Sequence, residues 1–390
     1  LQKIKQLSKT DYDEVFALSQ FAFQFELSDE AIIKKKEEAE RHIIWGWMAE
    51  DKLAAKVHVI PLSVLINGKT FDMGGVAGVA TWPEYRRSGM VKKLLLHSLK
   101  EMKKNGQVVS YLHPFSVPFY RNFGWEVCFN NKKYTVPIES LKRKWNTAGY
   151  VRRVSVTDKT LYRIYANFAE NYNGVLIRDE KWWKQCVLNE KAQIAVAYNQ
   201  EDVAVGYLIY HVKEDIFTLD EMAYETIDGW KQLLEFIANH DSMAKEVRMT
   251  VPENDHLPLF LDEPRFEQKI IPYFMMRIVD VLAFLKMYPF LEAGTDKEIN
   301  MHVVDSFLEE NSGTYQLTKI GTDTEIQCQQ LQVEEEDGIH CSVQHLAQML
   351  LGYKRPLDLY ELVLIQGAHK DIEQFDHLIP KRQTLLTDFF

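Results

Sequence analysis

Arg86-Arg87-Ser88-Gly89 is the stretch of this sequence whose residue types are best suited to chemistry, and the chemistry is the holding of phosphate. It joins a strand-like run, Val76 to Thr81, to a helix-like run, Val91 to Lys103. The first N–H groups of a helix have no internal partner and carry the positive end of its dipole. A pyrophosphate set there is both hydrogen-bonded and electrostatically favoured. Arg86 and Arg87 add charge, and Gly89, without a Cβ, lets the backbone approach an anion closely or adopt a positive φ. An isolated Arg-x-x-Gly also reads as a plain solvated helix start, so the surrounding elements must decide.

Those elements favour a site. Before the turn, Gly74-Gly75-Val76-Ala77-Gly78-Val79-Ala80-Thr81 is small and β-prone, with glycines where a bulge or a close ligand would need them. After the helix, Val108 to Leu112 predicts a buried strand, and Phe119-Tyr120-Arg121-Asn122-Phe123-Gly124-Trp125 closes a short helix. Upstream, a strand from Gln2 to Leu7 and a helix from Tyr12 to Phe25 precede a second helix bearing Lys34 to Glu38. Strands then follow over Ile43–Ala49, Leu53–Ile66 and Thr70–Val76, the last two joined by an Asn67-Gly68 hairpin turn.

The remaining chain divides into two more segments, giving boundaries at about 1–145, 146–280 and 281–390. The middle one repeats the rhythm of the first: helices over Lys159–Asn171 and Glu180–Gln185, strands over Gln193–Tyr198, Ala204–His211 and Ile216–Tyr224, helix Gly229–His240, strand Glu246–Val251. Such order predicts a duplicated fold. Its turn, Glu225-Thr226-Ile227-Asp228-Gly229-Trp230, puts acids where arginines would be needed and should repel pyrophosphate. The last segment predicts helices over Val281–Tyr288 and Val343–Leu351, with strands near Ile299–Phe307, Gly313–Thr318, Glu325–Leu331 and Ile339–Ser342.

A chain of 390 residues exceeds one typical core. No apolar run approaches the roughly 18–20 residues of a membrane helix, and no secretory signal opens the chain, which starts at Leu1. Cys128, Cys186, Cys328 and Cys341 are scattered without Cys-x-x-Cys spacing, which disfavours a zinc site or a disulfide framework and fits a reducing cytoplasm. A net charge of −10 argues against nucleic acid as the partner and suits a cationic substrate.

Strand, basic turn, helix, strand, then Phe-Tyr-x-x-Phe-Gly-Trp is the order of a GNAT N-acetyltransferase. With a degenerate second copy and an end whose strand order resembles the sterol-carrier fold, the whole chain resembles the enhanced intracellular survival (Eis) family of bacterial N-acetyltransferases. Arg277-Ile278-Val279-Asp280-Val281 and a terminal Phe390 are further marks of the likeness. The fold class it implies is α+β: tandem GNAT folds with mixed, largely antiparallel sheets, then a sterol-carrier-like domain.

The resemblance also implies roles. Val79, Ala80 and Thr81 would offer main-chain groups to the pantetheine arm of acetyl-CoA, which lies beside the strand like an added strand. Arg86, Arg87, Ser88, Gly89, Met90, Val91 and Lys92 would wrap the pyrophosphate, although Val91 departs from the Gly or Ala of the wider superfamily. Phe115 and Ser116 would contact the acyl end. Tyr120 matches the general acid that protonates the leaving thiolate, against the plain reading that it packs among Phe119, Phe123 and Trp125. The carboxylate of Phe390 matches the group that takes a proton from the amine, through an ordered water, or steers it into place; at an ordinary pKa near 3.5 it is a weak base. Glu26, Asp29 and Glu30 would complement a cationic acceptor, or else simply start a helix after Ser28. His113 is a lesser base candidate.

The expectation is therefore an acetyl-CoA-dependent N-acetyltransferase acting on primary amines of a small polycation, aminoglycoside or polyamine, by direct attack in a ternary complex. It requires no metal, binds no nucleic acid and spans no membrane. By resemblance it is a homo-oligomer, a hexamer. The rivals are acetylation of a protein lysine or N-terminus, and a non-catalytic acyl-CoA or lipid-binding protein.

Overall fold

The structure is a computed structural model that describes residues 3–155, 159–188, 192–291, 298–319, 326–331 and 337–390. Gln2 and Glu325, the expected starts of two strands, lie outside the described residues.

The N-terminal elements are β1 (Ile4–Leu7), α1 (Tyr12–Phe23), α2 (Asp29–Ala39), β2 (Ile43–Ala49), β3 (Lys52–Ile66), β4 (Lys69–Thr81), α3 (Met90–Lys104), β5 (Val109–Leu112), α4 (Val117–Arg121) and β6 (Glu126–Val127). Helix α1 stops two residues short of Phe25 because Gln24 takes a left-handed conformation and closes it. Asn67 and Gly68 both have positive φ, as a tight hairpin between β3 and β4 requires. The expected run Thr70–Val76 and the run to Thr81 are one continuous strand. Helix α3 buries Leu94, Leu95, Ser98, Leu99 and Met102, a helical stripe, against Val57, Val59 and Val76.

The middle elements are β7 (Asn130–Pro137), β8 (Tyr150–Val154), α5 (Thr160–Ala169), α6 (Glu180–Trp182), β9 (Gln193–Tyr198), β10 (Ala204–Lys213), β11 (Ile216–Tyr224), α7 (Ile227–Ala238), β12 (Glu246–Val251), β13 (Glu267–Pro272) and β14 (Met275–Ile278). The C-terminal ones are α8 (Val281–Met287), β15 (Ile299–Val304), β16 (Gly313–Lys319), β17 (Ile326–Leu331), β18 (Ile339–Ser342), α9 (Val343–Leu351), α10 (Pro356–Glu361) and α11 (His369–Leu378).

Among the described residues the strands form three sheets, in the orders β1-β2-β3-β4-β5-β14-β6, β13-β7-β12-β11-β10-β9-β8 and β17-β16-β15-β18. Pairing is antiparallel except for β4 with β5, β11 with β12, and β15 with β18. The first two sheets exchange strands: β7 leaves the first unit to lie in the second sheet, and β14 returns to sit between β5 and β6. An isolated reading of either segment cannot foresee that exchange, since both strands look like ordinary connections.

Arg277 on β14 is fully buried, bonded to the Phe123 carbonyl and paired with Asp305. This ties the aromatic segment after α4 to the C-terminal unit. One apolar core continues from Phe71 and Tyr111 of the first sheet to Phe284, Leu346 and Phe375. The end of the chain is thereby held against the N-terminal sheet.

Candidate active site

The first sheet splits at its centre. Strands β4 and β5 pair from Met73–Val109 to Val76–Leu112 and then separate. Strand β4 runs on to Thr81, whereas the chain after Leu112 turns away into α4. The main chain of Ala77 to Thr81 thus faces the gap without a strand neighbour there. Between the pairs Lys56–Ala80 and His58–Ala77, β4 uses one residue more than β3. Gly78 sits in this bulge at φ +55, a conformation that side chains with a Cβ resist.

A cleft of about 720 Å³ opens at the split, lined by Val79, Ala80, Thr81, the whole turn from Arg86 to Lys92, and Phe115. Ala22, Phe23, Tyr85, Phe119 and Phe123 complete it, and sequence reasoning had not placed these five in the cofactor site. Ser116 is not among the lining residues; it precedes α4 and makes no side-chain cap bond. In the turn, Arg87 and Gly89 have positive φ, and the first internal bond of α3 is Lys93 N–H to the Gly89 carbonyl. The amides of Met90, Val91 and Lys92 are left for an outside acceptor.

Arg86 and Arg87 are exposed and form no ion pair among the described residues. Thr81 Oγ1 is buried in the same cleft with no hydrogen-bond partner among the described residues. Free cations, free amides and an orphaned hydroxyl fit a polar ligand with an anionic diphosphate. At the corresponding turn of the second sheet, Thr226 Oγ1 accepts the Gly229 amide at 3.1 Å, and Glu225 is held by Arg163 and Asn167. That helix start is already filled from within.

Tyr120 is 3% exposed, and its ring meets Phe119 at 5.1 Å, Phe115 at 5.5 Å and Trp125 at 6.2 Å between centroids. Burial pushes its phenol above the ordinary value, so it stays protonated throughout the neutral range. It keeps its proton there and is a weaker acid than an exposed tyrosine.

The C-terminal segment reaches the other side of the split. Asn173 pairs with the Gln383 and Leu385 backbone, and the tail continues to Asp388, whose carboxylate accepts from Arg178 Nε at 2.9 Å and Trp182 Nε1 at 2.7 Å. Arg178 also binds Glu221, at 2.9 and 2.5 Å, and Tyr273 Oη donates to the Asp388 carbonyl at 3.0 Å. The Phe389 ring lies tilted beside His113 at 5.0 Å, which places His113 in an aromatic nest with Tyr273 and Phe274. The Phe390 ring lies 5.0 Å from Phe274 and against Gly75 of β4, where a Cβ would come within 2.7 Å of it. No local motif announces Arg178, Glu221 or Asp388.

Glu26, Asp29 and Glu30 are exposed around the start of α2, where Ser28 Oγ accepts the Ala31 amide at 3.3 Å. Asp29 and Glu30 occupy the first turn, as expected of charges that complement a helix start.

Comparison with known proteins agrees with this architecture. Residues 3–128 match an acetyltransferase (GNAT) domain, residues 174–278 a second GNAT domain, and residues 281–387 a sterol carrier protein domain. An uncharacterized N-acetyltransferase of Streptomyces griseus is 23% identical over 275 residues, 62% of this chain and 64% of that protein's length. A probable N-acyltransferase of Enterococcus faecalis, described as of unknown function, superimposes with TM-score 0.92 at 27% identity over 99% of both chains. Eis1 of Mycobacterium abscessus shares the fold, at TM-score 0.81 and 17% identity over 99% of this chain and 100% of its own.

Proposed function

The chain belongs to the GNAT acetyltransferases, with two such domains ahead of a sterol carrier protein domain in an Eis-like build, and from that premise we propose that it is an acetyl-CoA-dependent N-acetyltransferase. Its acceptor is a primary amine of a small polycation, of the aminoglycoside or polyamine class, attacking directly in a ternary complex. The observation that carries this reading is a single cleft joining the exposed Arg86-Arg87 turn and the free edge of β4, with buried Tyr120 packed behind its lining residues Phe115 and Phe119. The net charge of −10 supports a cationic acceptor. A cytoplasmic homo-oligomer, hexameric by the Eis resemblance, goes with this reading; among the described residues no helix is long and apolar enough to cross a membrane.

Acetyl-CoA, when bound, supplies an acyl group activated as a thioester. The residues do the rest. Arg86, Arg87 and the amides of Met90, Val91 and Lys92 hold the pyrophosphate, and the backbone of Val79 to Thr81 takes the pantetheine arm as an added strand. Phe115 borders the acyl end. Tyr120 hands its proton to the departing sulfur. A free α-carboxylate on Phe390, on the tail held by Asp388, would steer the ammonium of the acceptor into the split; its low basicity suits attraction better than proton removal.

Release of free thiol from acetyl-CoA, measured with aminoglycosides, polyamines and lysine peptides, tests the proposal. Turnover with the small polycations is expected, whereas turnover confined to lysine peptides would assign a protein acceptor. Tight acetyl-CoA binding without turnover on any amine would make the protein a binder. Arg87→Glu is expected to weaken acetyl-CoA binding roughly 10- to 100-fold, the worth of a lost charge-assisted contact. Titration of acetyl-CoA checks it, and an unchanged affinity would place the diphosphate elsewhere.

A further inference from the structure

A second set of titratable groups lies behind the bulge of β4. Alternate residues of a strand share a face, so Val57 and Val59 of β3 pack toward α3 while Lys56 and His58 project to the opposite side, beside Ala77 and Gly78. Lys56 is completely buried. Its Nζ donates to the Gly78 carbonyl at 3.1 Å and lies 2.9 Å from His58 Nε2. His58 Nδ1 in turn lies 3.1 Å from Nδ1 of His42, which is half-buried ahead of β2. A continuous line of nitrogens therefore runs from the bulge toward the surface.

The line has a consistent direction. If His58 Nε2 accepts from Lys56, its proton sits on Nδ1 and is donated to His42 Nδ1, leaving the His42 proton on Nε2. A neutral Lys56 amine spends its two N–H bonds on the Gly78 carbonyl and His58, and its lone pair is open. A charged one would bury a third N–H with no partner among the described residues. Burial accordingly brings Lys56 down to about 7 from its usual 10.5. Burial likewise lowers His42 to about 4, helped by Arg41, Lys35, Lys56 and Lys181, and lowers His58 further below its ordinary value with Lys56 and His42 adding. Gly78 is the group β4 presents to Nζ, and among the described residues no carboxylate offsets the burial of these three side chains.

Nζ lies behind the strand that lines the cofactor cleft. A Cβ on Gly78 would lie 3.2 Å from it, and the next residue, Val79, lines the cofactor cleft. The width of one glycine separates the amine from the cleft.

We propose that Lys56 takes the proton shed by the acceptor ammonium before it attacks, and that His58 and His42 carry this proton to the surface. The inference rests on the acetyltransferase reading. The acceptor N–H bond breaks as an N–H bond forms on Lys56. The freed lone pair makes the new C–N bond while the C–S bond breaks, and the sulfur takes the Tyr120 proton. The second proton lost by the nitrogen restores Tyr120. Lys56 then protonates His58 Nε2 as His58 Nδ1 gives its proton to His42 Nδ1, and His42 Nε2 releases one to water.

The test is the pH dependence of kcat/KM with two acceptors whose amines have well-separated pKa values. An acid limb near pH 7 common to both is expected for the unaltered chain, since a limb due to the acceptor would move with it. Lys56→Met should lower kcat roughly 100-fold or more and abolish that limb. It should leave acetyl-CoA affinity unchanged, since the proposed diphosphate contacts lie on the Arg86 to Lys92 turn. His42→Gln, at a half-buried position, should slow turnover while Lys56 stays in place. Normal kcat and a normal acid limb in Lys56→Met would overturn the relay. If that variant does not fold, normal values in His42→Gln would do so. Failure of the unaltered chain to acetylate any amine would instead overturn the acetyltransferase reading itself.

Discussion

Tyr120→Phe is expected to lower kcat for acetyl transfer roughly 100- to 1000-fold, within the usual range for losing a general acid, while leaving affinity for acetyl-CoA unchanged. The substitution removes one oxygen and keeps the ring, so the contacts with Phe115, Phe119 and Trp125 persist and the cleft keeps its shape. The acetyl-CoA contacts proposed for Arg86, Arg87 and β4 are on other elements. A loss in kcat with unchanged binding is the signature of a group that acts in the transition state alone. Because burial raises the Tyr120 pKa, the acid form persists at neutral and mildly alkaline pH, and no alkaline limb should arise from it there. Single-turnover thiol release alongside acetyl-CoA titration separates the two quantities. A kcat equal to that of the unaltered chain would leave Tyr120 with packing as its only role.

The parts of this site that could be read from sequence are those whose physics is local. The Arg86 to Gly89 turn announces itself because a helix start, two cations and a glycine are neighbours in the chain, and the cleft gathers that turn with Val79, Ala80 and Thr81. The missing arginines of the second copy were equally plain, and Thr226 and Glu225 show how that turn is closed instead. What escaped detection depends on distance. Arg178 meets Asp388 across 210 residues and Glu221 across 43, and neither pairing leaves a periodic trace. Strand β14 joins the first sheet after the whole second sheet has been built, and only then does Arg277 become a buried cation rather than one residue of a connecting run. Lys56 and His58 follow a two-residue alternation that normally marks a solvent face. Their burial follows from β3 being an inner strand with its other face covered too.

The same distant contacts give the largest expected effect on stability. Arg178→Met should cost about 3–5 kcal/mol of folding free energy, the usual penalty for removing one partner of a buried ionic cluster. The Arg178 side chain is 1% exposed, and it is the cation set between Glu221 and Asp388. Burial raises the Asp388 carboxyl against the pull of Arg178, with Glu221 adding to the rise. Glu221 resists its own burial because Arg178 and Tyr207 hold it below the ordinary carboxylate range. Without the guanidinium, two buried carboxylates face each other, and both folded-state pKa values should rise above those of the unfolded chain. A raised pKa means that the folded state binds more protons than the unfolded state. The variant's deficit should therefore shrink as pH falls from 8 toward 5, the reverse of the contribution Glu221 makes in the unaltered chain. Urea unfolding across that range measures it. Adding Glu221→Gln and Asp388→Asn to Arg178→Met should recover much of the loss, since neutral amides need no counter-ion. The tail supplies the functional readout. Phe389 and Phe390 follow Asp388 directly, so kcat should fall with stability while acetyl-CoA affinity, set at the Arg87 turn, stays constant. A variant with a pH-independent deficit would show that Arg178 contributes by packing against Tyr165 and Trp183, which its guanidinium overlies at 3.8 and 4.7 Å, rather than by charge.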